Sequence, residues 1–260
     1  MMEYPEIDRY ASLDSPMHRF DPRAKLIAFT FLIFSVVLLN DLKFVLIGFL
    51  VSILFLIASK LPFHFVIQHL KGVSLFIIPF LVIMPFTVEG TEIFSLYAIK
   101  VTYEGLRYGI LVVLKAFSAV MLIFPMIATT KFETTLKALD TLKVPNILVQ
   151  MLMFTYRYIF VFVNEFQRLL IAMESRGFKL RTSLYALRTI GNALGMLFVR
   201  SYERAERVYW AMRSRGYTGS QKTLVEFKMC TKDYALAVFI IAFAVCLQVV
   251  CYAGVWVGVV

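Results

Sequence analysis

Two short segments that end alike hold the residues of this sequence best placed to do chemistry. Residues 172–178, the first ending, and residues 211–217, the second ending, are identical at five of seven positions and keep an aromatic ring at a sixth. Each contains Ser-Arg-Gly, at Ser175, Arg176 and Gly177 and at Ser214, Arg215 and Gly216. The arginine guanidinium is a planar, permanently charged fork that suits carboxylate or phosphate groups. The pattern therefore predicts two equivalent docking points for a dimeric acidic partner.

The same residues are also typical of helix ends. A glycine after the last helical residue adopts the left-handed conformation, and a cation in the last turn interacts favourably with the helix dipole. Capping alone does not require the Ala, Met and Ser that both endings share. The repetition favours a second role, with simple capping as the alternative, and two copies are too few for a solenoid.

Two long amphipathic helices must position these endings. Residues 147–175 are apolar at first and charged later, whereas residues from about 183 to 214 carry Arg200, Arg204 and Arg207 on one face. Before them, the leucine spacing of residues 133–144 predicts a surface helix at the membrane, which Pro145 ends. We therefore expect each ending to lie at the tip of a long packing helix.

The composition shows where these helices are placed. Of the 260 residues 60% are hydrophobic and 17% charged, and the mean hydropathy is +0.77; an average soluble domain has about 25% charged residues. This balance excludes an ordinary soluble globule and makes lipid the alternative solvent. Three cysteines without metal-ligand spacing make a disulfide framework or a zinc site unexpected.

Five apolar stretches reach or come close to the length that crosses a bilayer, which is about 20 helical residues and ~17 at the short end. They are residues 24–39, 44–58, 72–88, 106–129 and 234–257. Pro79 and Pro85 lie in the third stretch and are expected to kink it without ending it. The charged first 23 residues lack the apolar core of a signal peptide. The predicted fold class is all-α: a polytopic membrane helical bundle of about five transmembrane helices with long cytoplasmic coupling helices.

The charges orient this bundle. The formal net charge is +1 in residues 1–130, +10 in 131–232 and −1 in 233–260. The basic segment is interleaved with apolar residues, so the positive-inside rule explains it better than nucleic acid does. We expect a four-helix membrane part in 1–130, a cytoplasmic segment in 131–232 and a last span in 233–260, with the N-terminus inside. Charge counting places Arg19, Arg23, Lys25, Lys60 and Lys71 in inside loops. This orientation predicts Lys60, Arg176 and Lys222 inside, and Lys43 and Lys100 outside.

Other residues that could do chemistry are few. No glycine-rich phosphate loop followed by Lys-Ser or Lys-Thr occurs, so ATP hydrolysis would belong to another chain. His64 and His69 are five positions apart, on different helix faces, and do not predict a metal site. Lys115 lies deep in a span and is expected to snorkel or to pair within the bundle. Asp14 and Asp21 are expected to cap and orient the first helix.

The endings also carry a resemblance to a known family. Together with residues 15–25 and 203–207, they resemble the transmembrane T component of energy-coupling factor (ECF) transporters. Residues 156–160 and 206–219 are most similar to the cobalt and nickel branch, the CbiQ type. The resemblance covers nearly the whole chain. The family pattern is usually Ala-Arg-Gly, and both copies here have the similarly small Ser in its first position.

The resemblance implies a scaffold in a prokaryotic cell membrane, with no catalytic residue, cofactor or metal site of its own. It would join a small substrate-capturing membrane subunit to two cytoplasmic ATP-binding-cassette (ABC) ATPases and so import cobalt or nickel ions. The two long helices would cross on the ATPase pair, and each ending would enter a groove of one ATPase. The implied ATPase-coupling residues are Ser175, Arg176, Gly177, Ser214, Arg215 and Gly216.

Three alternatives remain open. The chain could be the T component of a vitamin-type ECF transporter, because specificity in this family lies in the partner subunit. It could be a membrane adaptor unrelated to transport, which would keep the basic endings but need no ATPase. A membrane enzyme would need an intramembrane nucleophile or paired acids, and the spans offer only Lys115.

Overall fold

A computed structural model describes residue 8 and residues 10–88, 91–96, 99–219 and 229–257. The described helices are α1 (Pro16–Arg19), α2 (Pro22–Leu38), α3 (Leu42–Ala58), α4 (Phe63–Thr87), α5 (Tyr103–Ile127), α6 (Phe132–Thr141), α7 (Asn146–Ser175), α8 (Leu184–Ser214) and α9 (Thr231–Val257). A short antiparallel pair of strands, β1 (Glu92–Leu96) and β2 (Ile99–Thr102), connects α4 to α5. The polytopic helical bundle predicted from the sequence is confirmed, with this small hairpin as an addition.

Capping residues set the start of α2. The Asp21 carboxylate accepts a hydrogen bond from the Arg23 N–H, and Pro22 occupies the first helical position, where the N–H that proline lacks would have no acceptor within the helix. Asp14 instead receives two hydrogen bonds from the Arg19 guanidinium, at 3.0 and 2.8 Å. These bonds hold the pKa of the Asp14 carboxyl below its usual value. Asp21 therefore caps α2 as expected, and Asp14 contributes an exposed ion pair.

Two helix boundaries differ from the sequence-based expectation. Helix α4 begins at Phe63, directly after Pro62, so Lys71 lies inside this helix and not in the loop to which charge counting assigned it. Pro79 and Pro85 lie within α4 without ending it, as predicted. Helix α6 ends at Thr141, before Pro145, and Lys143 then adopts a left-handed φ of 63°.

Four described helices are long and apolar enough to cross a membrane: α4, α5, α7 and residues 231–253 of α9. Helices α2 and α3 have 17 residues each, near the lower limit for a span. Helix α7 meets the criterion through its apolar first half, although charge counting assigned it to the cytoplasmic segment. The sidedness of residues 131–232 stays a prediction.

The chain forms two compact units. Of the described residues, the larger unit comprises 8, 10–88, 91–96, 99–138 and 229–257, and the smaller unit comprises 139–219. The larger unit holds α1 to α5, the strands and α9, and the smaller unit holds α7 and α8; the boundary falls within α6. The two endings thus belong to one unit.

Helix α5 organises the larger unit, where it contacts α2, α3 and α4. Contacts with α2 join Lys25 to Thr130 at 2.8 Å and Thr30 to Met126 at 3.9 Å. Contacts with α3 join Asp41 to Arg107 at 3.6 Å and Ser52 to Met121 at 3.8 Å. On the α4 side, the Phe65 and Phe124 rings lie 5.9 Å apart and Thr102 Oγ1 donates to the Pro85 carbonyl at 3.1 Å. Helix α5 therefore runs parallel to α3 and antiparallel to α2 and α4, as successive spans must.

The core of this unit lies between α2, α5 and α9. Ala28, Phe29, Leu32 and Val36 of α2 have no exposed surface and form one cluster with residues of α5 and α9. Ser35 Oγ donates to the Ala244 carbonyl of α9 at 2.9 Å. In lipid, such close packing and interhelical hydrogen bonds hold helices together.

Lys25 is the main exception to the charge assignment of the sequence analysis, which counted it among the inside-loop cations. It lies in the first turn of α2 with only 1% of its surface exposed. Its ammonium donates to the Met17 carbonyl at 2.8 Å, to Thr130 Oγ1 at 2.8 Å and to Thr129 Oγ1. These uncharged acceptors tie α1, α2 and the end of α5 together. Lys115, by contrast, reaches Asn40 Oδ1 at 3.5 Å, which fits the predicted pairing within the bundle.

We expect Thr129→Val to destabilise the larger unit by about 1 kcal/mol, because a buried ammonium loses one acceptor and keeps two. Thermal unfolding in detergent measures the change. The matched control is Thr87→Val, which removes an exposed hydroxyl bonded only within its own helix. Equal melting temperatures for both variants would contradict the role of Thr129.

Candidate functional site

The first ending closes α7 with a Schellman motif. The Phe178 N–H donates to the Met173 carbonyl at 3.0 Å, and the Gly177 N–H donates to the Glu174 carbonyl at 2.9 Å. Gly177 has a φ of +86°, the left-handed conformation that glycine adopts at no steric cost. Arg176 is the C-cap residue, and its side chain is exposed.

The second ending closes α8 with the same geometry. The Tyr217 N–H donates to the Met212 carbonyl at 3.1 Å, and the Gly216 N–H donates to the Arg213 carbonyl at 3.1 Å. Gly216 has a φ of +83°. Arg215 has φ −92° and ψ 12°, almost the same as φ −93° and ψ 13° at Arg176. The two arginines therefore leave their helices along equivalent paths.

The capping hypothesis therefore explains the backbone conformation of both endings. It assigns no role to the two arginine side chains. Arg176 and Arg215 are both exposed, and neither has a salt-bridge partner within the described ranges. Ser175 Oγ and Ser214 Oγ donate back to carbonyls of their own helices, Ile171 and Ala211. Two free guanidinium groups on capped helix ends are available for acidic partners.

Helices α7 and α8 form an antiparallel pair. Glu165 of α7 accepts hydrogen bonds from Arg200 and Arg204 of α8, each at 3.1 Å. Near the start of α7, Gln150 Nε2 donates to the Gly219 carbonyl, just beyond α8, at 2.9 Å. The two endings therefore lie at opposite ends of α8. At about 1.5 Å per residue, its 31 residues separate them by roughly 46 Å.

A basic groove of about 510 Å³ surrounds the first ending. Arg176, Lys179 and Arg181 line it together with Phe178 and Tyr185. The sequence contains no Asp or Glu between Glu174 and Glu203, so the groove carries net positive charge. The groove therefore suits an acidic segment. Lys179 and Arg181 were not predicted as functional residues, although the run without Asp or Glu was visible in the sequence.

The remaining candidate residues make local contacts. His18 is hydrogen-bonded to Ser15 Oγ at 2.6 Å and to the Tyr10 carbonyl at 2.9 Å. His69 lies 2.9 Å from the Phe65 carbonyl. Within the part of the chain that the structure describes, no group of three or more His, Cys, Asp or Glu side chains could hold a metal ion. Lys222, predicted to lie inside, is outside the described residues.

Comparison with known proteins decides the family. The model of the CbiQ family, described as cobalt transport protein, matches residues 14–225, a range that includes both endings. The chain belongs to the CbiQ family. The resemblance found in the sequence is therefore confirmed, and the apolar helices make this CbiQ-family chain a multi-pass membrane component of a transporter.

Relatives of this CbiQ-family chain carry the name energy-coupling factor transporter transmembrane protein EcfT. The protein from Listeria innocua is 30% identical over 94% of this chain and 96% of its own length. The protein from Exiguobacterium sibiricum is 31% identical over 88% and 92%. That from Heliobacterium modesticaldum is 27% identical over 89% and 92%. These matches extend over almost the full length of both partners, so they support the T-component role within ECF transporters.

Proposed function

We propose that this chain is the transmembrane scaffold of an ECF-type importer for cobalt or nickel ions. It couples ATP hydrolysis by two ABC-type ATPase subunits to a small membrane subunit that captures the substrate. The observation that carries the proposal is the pair of exposed arginines on geometrically equivalent helix ends, Arg176 and Arg215. The relatives named EcfT support the transporter context.

The geometry supplies a mechanism for coupling. Each arginine docks in an acidic groove of one ATPase, where a charge-assisted, two-pronged hydrogen bond fixes both position and direction. The salt bridges in which Arg200 and Arg204 donate to Glu165 hold α7 against α8. When ATP draws the two ATPases together, the docked ends move with them, and the braced helices transmit this motion to the membrane part.

The metal is cargo in this proposal, and its selection belongs to the capture subunit. The family description, cobalt transport protein, supports a cobalt or nickel substrate. A vitamin-type substrate is the alternative, since the relatives are named by their transporter class without a substrate. ATP hydrolysis belongs to the partner subunits.

Purification of the tagged chain from its native membranes tests the proposal. We expect two ATPase copies and one small hydrophobic subunit to copurify with it. The chain purified alone should hydrolyse no ATP and bind no stoichiometric cobalt or nickel. Recovery of the chain without any ATPase, or with a tightly bound metal, would refute the scaffold and favour an unrelated adaptor.

The proposal also fixes the sidedness of the chain. Residues 131–232 and the N-terminus face the cytoplasm, because the excess of Lys and Arg lies there. We therefore expect single cysteines at positions 60, 176 and 222 to resist an impermeant label applied from outside, and cysteines at 43 and 100 to react. Strong outside labelling at position 176 would overturn this arrangement.

A further inference from the structure

The two endings differ in one respect that bears on their docking. At the aromatic position, the first ending has Phe178 and the second has Tyr217. The Tyr217 hydroxyl donates a hydrogen bond to Gln150 Oε1 near the start of α7. Phe178 lacks a hydroxyl and cannot form an equivalent bond.

Gln150 binds the second ending at Tyr217 and the chain just beyond it at Gly219. Its Oε1 accepts from Tyr217, and its Nε2 donates to the Gly219 carbonyl at 2.9 Å. The same Nε2 also donates to Asn146 Oδ1 at 3.0 Å, which orients the amide within the first turn of α7. Gly219 has a φ of +96°, a left-handed conformation that favours glycine. We name this arrangement of Gln150, Tyr217 and Gly219 the amide clasp.

The first ending has a different attachment. Beyond Gly177, the chain runs through an exposed connection to Ser183, whose hydroxyl accepts from the Ala186 N–H at 3.2 Å and caps α8. The residue after Gly177 therefore has no side-chain hydrogen bond that fixes it to the neighbouring helix. The second ending is hydrogen-bonded to α7 through Tyr217, and the chain just beyond it through Gly219, whereas the first ending is joined to α8 through the short connection to Ser183.

We propose that Gln150 is a positioning residue that fixes the second ending on α7 in the orientation in which Arg215 meets its ATPase. This inference rests on the proposed function. Because the clasp orders Tyr217 and Gly219 before docking, the second ending binds without the entropy loss of a mobile one. The two docking points are consequently unequal: the second is preorganised by side-chain hydrogen bonds that the first lacks.

Two single variants, their combination and a control test the clasp through the affinity of the ATPase pair for the full chain in nanodiscs. Tyr217→Phe removes only the hydroxyl, and Gln150→Leu removes both arms of the amide. We expect each to weaken association by about 3- to 10-fold, and the two together to weaken it no further than Gln150→Leu alone. Tyr202→Phe, the matched control, removes an exposed hydroxyl of α8 outside both endings and should leave the affinity unchanged.

A double-mutant comparison separates positioning from general stability. In an Arg215→Glu background, Tyr217→Phe should cost nothing further, because the second ending no longer docks. In an Arg176→Glu background, it should keep its full 3- to 10-fold effect. A purely structural role would give the same cost in both backgrounds. Gln150→Glu, which keeps the acceptor for the Tyr217 hydroxyl, should restore part of the affinity lost in Gln150→Leu.

The outcomes distinguish two failures. If both arginine reversals weaken association and Tyr217→Phe has no effect, or has equal effects in both backgrounds, the amide clasp is refuted and the proposed function stands. If neither arginine reversal weakens association, the docking role of the endings is refuted together with the clasp.

Discussion

Reversing both arginines, Arg176→Glu together with Arg215→Glu, is expected to abolish ATPase association and transport. In each groove a charge-assisted pair becomes a like-charge contact, which costs on the order of several kcal/mol. Each single reversal should weaken association on its own. Because the endings lie at opposite ends of α8, roughly 46 Å apart, the effects of the two reversals on association should be independent.

Pull-down of the ATPases and metal uptake, measured side by side in cells, provide the test. Arg176→Lys or Arg215→Lys should cost less than charge reversal and more than nothing, since Lys keeps the charge and loses the planar fork. The control Arg188→Glu reverses an exposed charge on α8 outside both endings. Membrane insertion should survive in every variant. Wild-type association and uptake in the double reversal would reduce the repeated endings to helix caps.

The second large effect is expected when valine replaces both cap glycines. Gly177 and Gly216 have φ values of +86° and +83°, which a β-branched residue adopts only with strain. No atom would lie within 4 Å of a Cβ added at either position, so the cost is purely conformational. We expect about 1 to 2 kcal/mol of local strain at each site and a redirected arginine. ATPase association should fall while the spans remain intact.

Gly191→Val is the matched control for this prediction. Gly191 lies within α8, equally without atoms near an added Cβ, and it has no left-handed φ. Valine there should be neutral or slightly stabilising, because Gly is the weaker helix former. Association measured by pull-down should therefore separate the two classes. Equal losses from Gly191→Val and from the cap variants would contradict the capping argument.

The ends of the long helices were predictable because their signals are local. Ser183 precedes α8 and caps it, and Gly177 and Gly216 follow the helices with the predicted conformation. Such signals depend on a few neighbouring residues. The same holds for Asp21 at the start of α2, where the carboxylate and the N–H that it caps are two positions apart.

Long-range partners were not predictable from the same reasoning. Lys25 was counted among the loop cations although it is the second residue of the first apolar stretch, and its burial depends on Thr129 and Thr130, more than 100 positions away. The bond between Gln150 and Tyr217 spans 67 positions. A search for uncharged stretches also placed the start of α4 too late, since the helix begins with residues that include His64 and Lys71.

The start of α7 shows a related limit of charge counting. Its first half is apolar enough to qualify as a span, whereas its second half carries Glu165, Arg168 and Glu174. Composition alone gives such a helix two interpretations, a membrane span or an element that covers the apolar surface of a partner. The labelling experiment on position 176 decides which side of the membrane its charged end faces.

Photo-crosslinking from the two endings tests directly whether they dock on the ATPase subunits. A photoreactive amino acid replaces Ser175 or Ser214 in the assembled transporter, which leaves both arginines in place, and a third variant carries it at Lys43 as a control. If the endings dock as proposed, positions 175 and 214 each crosslink to an ATPase subunit and position 43 does not. An intact complex in which neither ending crosslinks to an ATPase would contradict the proposed docking.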